Sequence, residues 1–483
     1  MNNHKSEKFA STSADASENI GIGRAKWTKT GPKKDSRPNI LFIMTDQQSA
    51  HMMSCAGDKW LNTPALDTLA ASGIRFERAY ATNPVCMPSR LSLQTGRMPS
   101  AIGMKWNEDI PVPNAVIRQS LGELFHGAGY ETVYAGKVHL PGTLKQVKMN
   151  GYRDLLARDG RQDLADACVE FLRGPHEGPF FLFASFINPH DICYLAINDA
   201  LRGKGEMPVD NIDSRTCEAV ADEGRKSGVC QESLPPLPAN HAICESEPGA
   251  ISTEYLLHAF KGVQFRRHAR EEWTETEWRI FRYVYRKLTE MVDAKISQVL
   301  DAVCEAGLEE ETLIVFTSDH GDMDGAHRLQ HKSVLYEEAV RIPFIMSQQG
   351  VIPRGVVDDD HLVSNGLDLL PTLCDAANIK PPNGLNGHSL LPLARGEENV
   401  RWRDYVVVES LHGRMLRTDR FKYSIYASGS NREQLVHLNN DPGEMRNLAD
   451  DEDYKETLHR HRQLLREWIQ RTGDTIGSMY VSH

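Results

Sequence analysis

The chain has neither a C-x-x-C pair nor a long apolar run, and each absence excludes a class of protein. Its 9 cysteines are irregularly spaced through 483 residues, so neither a zinc ribbon nor a disulfide framework is indicated. No apolar stretch reaches the ~18 residues of a membrane-spanning helix. Residues 1–36 are rich in Ser, Lys, Asn and Ala and lack the apolar segment of a signal peptide. We therefore expect a flexible N-terminal tail, reduced thiols, no membrane partner and a cytoplasmic location.

Positive charge is also scarce, because 55 Lys and Arg residues stand against 66 Asp and Glu residues, for a net charge of −11. This balance argues against nucleic acid as a partner. An anionic substrate would need a local positive pocket in a negative protein. With 40% hydrophobic and 25% charged residues, the composition suits a large globular enzyme with a deep core.

A cysteine at an expected helix start is the first candidate functional residue. It lies in the stretch N-P-V-C-M-P-S-R-L-S-L-Q-T-G-R, residues 83–97. Pro88 is compatible with the first turn of a helix, and Gly96 with its end. Cys86 would then lie just outside the helix N-terminus, where the positive end of the helix dipole lowers a thiol pKa. The residues alone leave two interpretations: a nucleophilic cysteine, or a buried cysteine beside a turn.

Polar side chains follow four buried-strand patterns. The four pairs of strand and following residue are 39–45 with Asp46, 130–135 with Lys137, 179–187 with His190, and 312–317 with Asp319. In open α/β sheets, ligands bind beyond the carboxyl ends of the strands, and the alternation of strand and helix patterns favours such a sheet. We therefore expect these four side chains to share one cavity.

The segment C-x-P-S-R followed by L-x-T-G-R resembles the signature of the type I, formylglycine-dependent sulfatase family, within the alkaline-phosphatase-like superfamily. The resemblance extends from about Arg37 to about Thr472. It implies that a formylglycine-generating enzyme converts Cys86 to Cα-formylglycine, an aldehyde that works as its hydrate. It also implies an α/β fold: a large mixed, mostly parallel sheet between helices, with a smaller C-terminal α+β subdomain of antiparallel strands and a helix.

The resemblance further implies a divalent cation bound by Asp46, Gln47, Cys86, Asp319 and His320. Many sulfatases have a second Asp where this chain has Gln47, so the site loses one negative charge. Oxygen-rich ligation favours Ca²⁺. The nitrogen of His320 and the missing carboxylate leave Mg²⁺ or Mn²⁺ open.

The resemblance also implies roles for the basic residues around Cys86. Arg90 would orient the hydrate and stabilise its charge, and Lys137 and Lys332 would bind the sulfate oxygens. His190, alone or with Lys332, would protonate the leaving oxygen. His139 would deprotonate the remaining hydroxyl, which expels sulfate and restores the aldehyde.

Three segments are expected along the chain: a tail at 1–36, a catalytic domain at 37–395 and a C-terminal subdomain at 396–483. Within the catalytic domain, residues 194–251 have the composition of an insertion or lid. Four cysteines lie in or beside it, with no spacing that favours a metal site or a disulfide: Cys193, Cys217, Cys230 and Cys244.

The expected activity is hydrolysis of a sulfate ester, with a glycan or other carbohydrate sulfate as the favoured substrate. The alternative is a phosphonate monoester or phosphodiester hydrolase on the same scaffold, since Asp46-Gln47 and Asp319-His320 are compatible with it. A cysteine-thiolate enzyme and a non-catalytic binder of sulfated glycans are two further alternatives. The sequence leaves open whether the protein forms a homo-oligomer and which leaving group the sulfate ester carries.

Overall fold

The computed structural model describes residues 36–157, 163–227 and 231–481. The predicted tail therefore lies outside the described residues except for Ser36, and so does Cys230. The strands are β1 (Asn39–Asp46), β2 (Ile74–Phe76), β3 (Ala79–Tyr80), β4 (Glu131–Gly136), β5 (Asp154–Leu155), β6 (Phe180–Pro189), β7 (Thr312–Ser318), β8 (Phe344–Ser347), β9 (Val356–Asp358), β10 (Val363–Ser364), β11 (Val406–Glu409), β12 (Gly413–Arg417), β13 (Phe421–Tyr426) and β14 (Glu433–His437).

The α-helices vary from one turn to 31 residues. They are α1 (Pro64–Ala71), α2 (Cys86–Thr95), α3 (Asn114–Ile117), α4 (Leu121–Gly127), α5 (Asp163–Arg173), α6 (Cys193–Gly203), α7 (Ile212–Ser227), α8 (Phe265–Glu272), α9 (Glu275–Glu305), α10 (Glu337–Val340), α11 (Asn365–Ala376), α12 (Leu391–Ala394), α13 (Lys455–Thr472) and α14 (Thr475–Tyr480). Among the residues described, none of these helices is both long and apolar enough to cross a bilayer.

The main sheet has the strand order β5-β4-β6-β1-β7-β8-β2-β9. Its central strand β1 is parallel to β6 on one side and to β7 on the other. Only β8 runs antiparallel to its neighbours β7 and β2. This arrangement confirms the predicted mixed, mostly parallel sheet.

Helices cover both faces of this sheet because side chains alternate along each strand. On one face, Phe42 of β1 belongs to a core cluster with residues of α2, α4 and α11. On the other face, Ile43 belongs to a cluster with residues of α1, α5 and α9. Each buried side chain of this size contributes about 1.5–3 kcal/mol relative to an exposed one. A strand buried on both faces explains the continuous apolar run of β1.

Two local patterns in the sequence differ from the structure. The pair Thr63-Pro64 predicts a helix start with Thr63 as the N-cap of α1, but the Thr63 hydroxyl accepts a hydrogen bond from the Ser54 amide at 2.9 Å. The carboxylate of Asp293 on α9 instead accepts from the amides of Ala65 and Leu66, at 3.1 and 2.9 Å. The sequence of residues 74–80 predicts one strand, but the segment forms β2 and β3 in two different sheets.

The C-terminal part contains the expected short strands. Strands β11 to β14 form an antiparallel four-stranded sheet. Helix α13 packs on it, and Leu465 and Trp468 share a cluster with Leu416 and Leu435 of the sheet. The boundary near residue 396 stays a prediction.

The segment 194–251 includes most of α6 and all of α7. Leu195 of α6 shares a buried cluster with Phe281 and Leu288 of α9. These helices are therefore anchored on the domain, and the proposed lid role of the segment stays a prediction.

Candidate active site

The sheet topology brings the predicted residues to one edge. Asp46 is the last residue of β1, and Asp319 follows the neighbouring strand β7. Cys86 is the first residue of α2, after an extended Val85 at the N-cap. The sequence placed Cys86 one position earlier, just outside the helix. All three side chains are buried.

Four side chains converge as a potential cation site. Ligand atoms of Asp46, Cys86, Asp319 and His320 all lie within 4.8 Å of one another. The Nδ1 of His320 lies 2.9 Å from the carbonyl oxygen of Gly321. Because a carbonyl only accepts, Nδ1 carries the proton and Nε2 keeps its lone pair for a metal. Two carboxylates and one imidazole therefore fit a divalent cation.

Gln47 contacts the same group of residues, but its side-chain amide has protein partners. Its Oε1 accepts from the Nζ of Lys332 at 2.6 Å and from the Sγ of Cys193 at 3.3 Å. Its Nε2 donates to Asp322 at 2.7 Å. In this geometry Gln47 positions Lys332, and its predicted role as a metal ligand stays a prediction.

Arg90 links the two central carboxylates. Its Nε donates to Asp319 and its Nη2 to Asp46, each at 2.8 Å. Its Nη1 donates to the hydroxyl of Ser185 at 2.8 Å. The guanidinium is buried and its fork geometry suits two carboxylates. Arg90 thus holds Asp46 and Asp319 in place.

Two lysines supply positive charge next to Cys86. The Nζ of Lys332 lies 3.2 Å from the Sγ of Cys86, and the Nζ of Lys137 lies 2.8 Å from Asp46. Burial and the charge of Asp46 raise the pKa of the Cys86 thiol, but Lys332, Lys137 and His320 outweigh them. The net pKa of Cys86 is well below its usual value. An anion is therefore favoured at this position.

Comparison with protein families decides the identity of the chain. The model of the family described as Sulfatase matches residues 38–379. The chain belongs to the sulfatase family. A second model, described as N-sulphoglucosamine sulphohydrolase, C-terminal, matches residues 325–471. The protein is a sulfuric ester hydrolase, and the predicted family is confirmed.

Related proteins match this sulfatase over most of its length. A Delta 4,5-hexuronate-2-O-sulfatase of Bacteroides thetaiotaomicron is 31% identical over 469 residues, which cover 92% of this chain and 91% of that protein. The structure of a 2-O GAG sulfatase is 29% identical, with a TM-score of 0.76 and coverage of 92% and 94%. A phosphonate monoester hydrolase of Agrobacterium radiobacter has a TM-score of 0.69 at 21% identity, covering 90% and 96%. That last likeness shows the fold alone.

The two histidines predicted to move protons differ in their surroundings. Burial, together with the charges of Lys137 and Lys332, lowers the pKa of His190 to about 3. The charges of Lys137, Lys332 and Asp46 all act on His190, so it belongs to the site of this sulfatase. His139 has no hydrogen bond or ion pair to the cluster among the described residues, and its Nδ1 is buried without a partner. Its role stays a prediction.

Three further residues support the site and were not identified from the sequence. Ser185 holds Arg90, Cys193 holds Gln47, and Asp322 accepts from Gln47. Burial raises the pKa of Asp322 to about 7. Asp322 ends the motif Ser-Asp-His-Gly-Asp, so its place three residues after Asp319 could have identified it as a site residue. No local signal distinguishes Ser185 or Cys193.

Proposed function

We propose that this sulfatase removes sulfate from a carbohydrate sulfate ester through a formylglycine made from Cys86. The observation that carries the proposal is the setting of Cys86, which lies between a potential cation site and two lysines. Family membership supports the formylglycine in general. A relative named as a hexuronate-2-O-sulfatase supports a carbohydrate substrate.

Position 86 supplies the nucleophile. As its hydrate, the formylglycine would offer an oxygen to the sulfur of the ester. The N-terminus of α2 and the ammonium of Lys332 favour negative charge there. A formylglycine-generating enzyme is therefore a required partner during maturation.

Asp46, Asp319 and His320 would hold the divalent cation, with Ca²⁺ as the first candidate and Mg²⁺ or Mn²⁺ as alternatives. A cation bound there supplies Lewis-acid polarisation of sulfate. Arg90 keeps the two carboxylates aligned for it. With such a cation bound, Lys137 and Lys332 would complete the local positive pocket that a chain with a net charge of −11 needs.

Lys137 and Lys332 bind and neutralise the sulfate oxygens. His190 donates a proton to the leaving oxygen. In the substrate-free site, burial and then the charges of Lys137 and Lys332 keep His190 neutral. A bound sulfate ester opposes their field and raises the pKa of His190, which allows it to carry the proton. His139 accepts the proton whose removal restores the aldehyde.

Peptide mass spectrometry across position 86 tests the maturation. Replacing the CH₂SH group by CHO lowers the peptide mass by roughly 18 Da. Cys86→Ala should abolish turnover of p-nitrophenyl sulfate and leave the melting temperature nearly unchanged. Full activity of Cys86→Ala would refute the mechanism. An unmodified cysteine in active enzyme would favour thiolate catalysis.

A desulfation screen tests the substrate class. Matured enzyme is incubated with sulfated mono- and disaccharides, choline sulfate and aryl sulfates, with phenylphosphonate esters as the control for the alternative activity. We expect the largest kcat/KM for a sulfated saccharide. A larger value for choline sulfate or an aryl sulfate would contradict the carbohydrate proposal.

A further inference from the structure

Arg266 on α8 is a buried cation without a counter-ion. Its side chain is 3% exposed. Its Nη1 donates to the carbonyl oxygen of Tyr255 at 3.2 Å, its Nη2 contacts the Nδ1 of His331 at 3.3 Å, and its Nε has no hydrogen-bond partner. Among the described residues, no carboxylate lies within ion-pair distance of it. One turn further along α8, Arg270 reaches both oxygens of Glu247 at 2.9 Å.

The two neighbouring arginines, Arg266 and Arg270, therefore differ in the free-energy cost of their burial. A guanidinium that loses water without gaining a carboxylate is costly to bury. Burial lowers the pKa of Arg266 accordingly. The ring of Tyr255, 4.2 Å from the guanidinium carbon, offsets part of this cost. The charge of Asp322 acts on Arg266, but Asp322 does not pair with it directly. The guanidinium therefore lacks a direct counter-ion, and its charge favours an anion nearby.

The contact with Arg266 also fixes the tautomer of His331. A guanidinium has donors and no acceptor, so Nδ1 of His331 must accept. The proton of the neutral ring is then on Nε2, which is left as a donor. His331 is only partly buried. It can therefore present an N–H group to a ligand, backed by the charge of Arg266.

The Arg266–His331 pair lies beside the nucleophile. His331 directly precedes Lys332, whose Nζ is 3.2 Å from Cys86. The amide of Ser333 donates to the carbonyl oxygen of Pro84 at 3.0 Å, which fixes this loop against the segment before α2. A ligand with its sulfate at Cys86 would thus have its next substituents near His331.

An aromatic side chain, Trp106, contacts two histidines, His258 and His412, and the charge of Arg266 acts on both of them. The next residue, Asn107, accepts a hydrogen bond from the amide of Met87 at 2.9 Å, which ties this segment to the residue after Cys86. The indole ring contacts the rings of His258 and His412 at 5.7 and 6.4 Å. Aromatic faces with a few polar groups are typical of small-molecule sites.

We propose, on the basis of the function proposed above, that Arg266 and His331 form a second anion-binding subsite. It would take a second anionic group, a carboxylate or another sulfate, on the sugar whose sulfate lies at position 86, with Trp106 against the ring. The substrate class is then a sulfated acidic sugar and not a neutral monosulfated one.

Calorimetric binding to Cys86→Ala protein tests this subsite without turnover. The probes are 2-O-sulfated glucose, 2-O-sulfated glucuronate and 2,6-di-O-sulfated glucose. A charged hydrogen-bonded contact predicts that one of the two dianionic sugars binds about 10- to 100-fold more tightly than 2-O-sulfated glucose. The tighter of the two identifies the anion as carboxylate or sulfate. Adding Arg266→Gln should abolish this preference, and Arg266→Lys should retain part of it.

Arg267→Gln is the matched control, because Arg267 is exposed on the same helix and pairs with Glu271. It should keep the preference. Equal binding of all three sugars to the Cys86→Ala protein would overturn the subsite, and this result does not depend on how Arg266→Gln folds. A uniform loss for all three sugars in Arg266→Gln would also overturn it. Failure of the proposed function has a separate readout, namely no release of sulfate by matured wild-type enzyme from any sulfated saccharide of the desulfation screen.

Discussion

The Nζ of Lys332 lies 3.2 Å from the Sγ of Cys86, although 246 positions separate the two residues. The ammonium therefore acts directly on whatever group position 86 carries. In protein made without maturation, that group is a thiol whose pKa is well below its usual value. Cys168, buried without such a partner, has its pKa raised to about 12. The two cysteines should react very differently.

The first prediction concerns this thiol. In unmatured protein, iodoacetamide should alkylate Cys86 at neutral pH and leave Cys168 unmodified, because the lowered pKa of Cys86 favours its thiolate and the raised pKa of Cys168 disfavours it. Lys332→Met should shift the alkylation of Cys86 to higher pH, as read by peptide mass spectrometry over a pH series. Lys145→Met, at an exposed pair with Asp109, should have no effect. Identical pH profiles of alkylation for wild type and Lys332→Met would refute the effect of Lys332 on the pKa of Cys86.

The second prediction concerns Arg90. Arg90→Gln leaves Asp46 and Asp319 buried without their shared cation. We expect a loss of about 3–5 kcal/mol in the free energy of unfolding, measured by urea denaturation of metal-free protein. Arg90→Lys keeps the charge but cannot reach both carboxylates in a fork, so its loss should be intermediate. Arg395→Gln at the surface is the control. An unchanged urea midpoint for Arg90→Gln would contradict the stabilising role of Arg90 between Asp46 and Asp319.

The third prediction concerns the cation. Wild-type protein treated with a chelator should lose activity, and Ca²⁺ should restore it and raise the melting temperature. Binding at 100 times Kd stabilises the folded state by about 2.7 kcal/mol. Asp319→Asn should remove most of this shift, whereas Asp360→Asn on the surface should keep it. Parallel titrations with Mg²⁺ and Mn²⁺ rank the three ions by the melting-temperature shift that each one produces. A full Ca²⁺ shift in Asp319→Asn would place the ion elsewhere.

The fourth prediction concerns the pH dependence of stability. Burial raises the pKa of Glu409 from 4.5 to about 7, although Arg414 acts in the opposite direction. The folded state therefore binds more protons than the unfolded state between these values. The contribution of Glu409 is complete below pH 4.5 and is lost as the pH rises through 7, with a magnitude on the order of 3 kcal/mol.

Glu409→Gln should flatten this part of the stability profile, because a neutral amide does not ionise. Denaturation measured between pH 4.5 and 8 gives the slope. Glu397→Gln, at an exposed position, should reproduce the wild-type slope. If Glu409→Gln keeps that slope as well, another group is responsible for it.

Local patterns predicted much of the fold. The continuous apolar run of β1 predicts a strand buried on both faces, and the spacing of apolar residues every 3.6 positions along α9 predicts a core helix. These features depend on neighbours along the chain, so a sequence can reveal them. The prediction of Thr63 as the cap of α1 was wrong, because the residue that accepts from the first amides of the helix is Asp293. Asp293 lies 228 positions from Ala65, so neighbours along the chain do not reveal it.

The candidate site shows the same contrast between features that local sequence predicts and contacts that only the folded chain makes. By itself the sequence predicted Cys86 as the nucleophile position and determined that acids and bases follow the strands, which meet at one edge because parallel strands end there. Only the tertiary structure decided which partner each group has: Gln47 holds Lys332, Arg90 joins two carboxylates, and Arg266 is buried without one. In the sequence, Arg266 resembles any arginine of a charged helix. Burial and the absence of a counter-ion arise from segments that meet only in the folded chain.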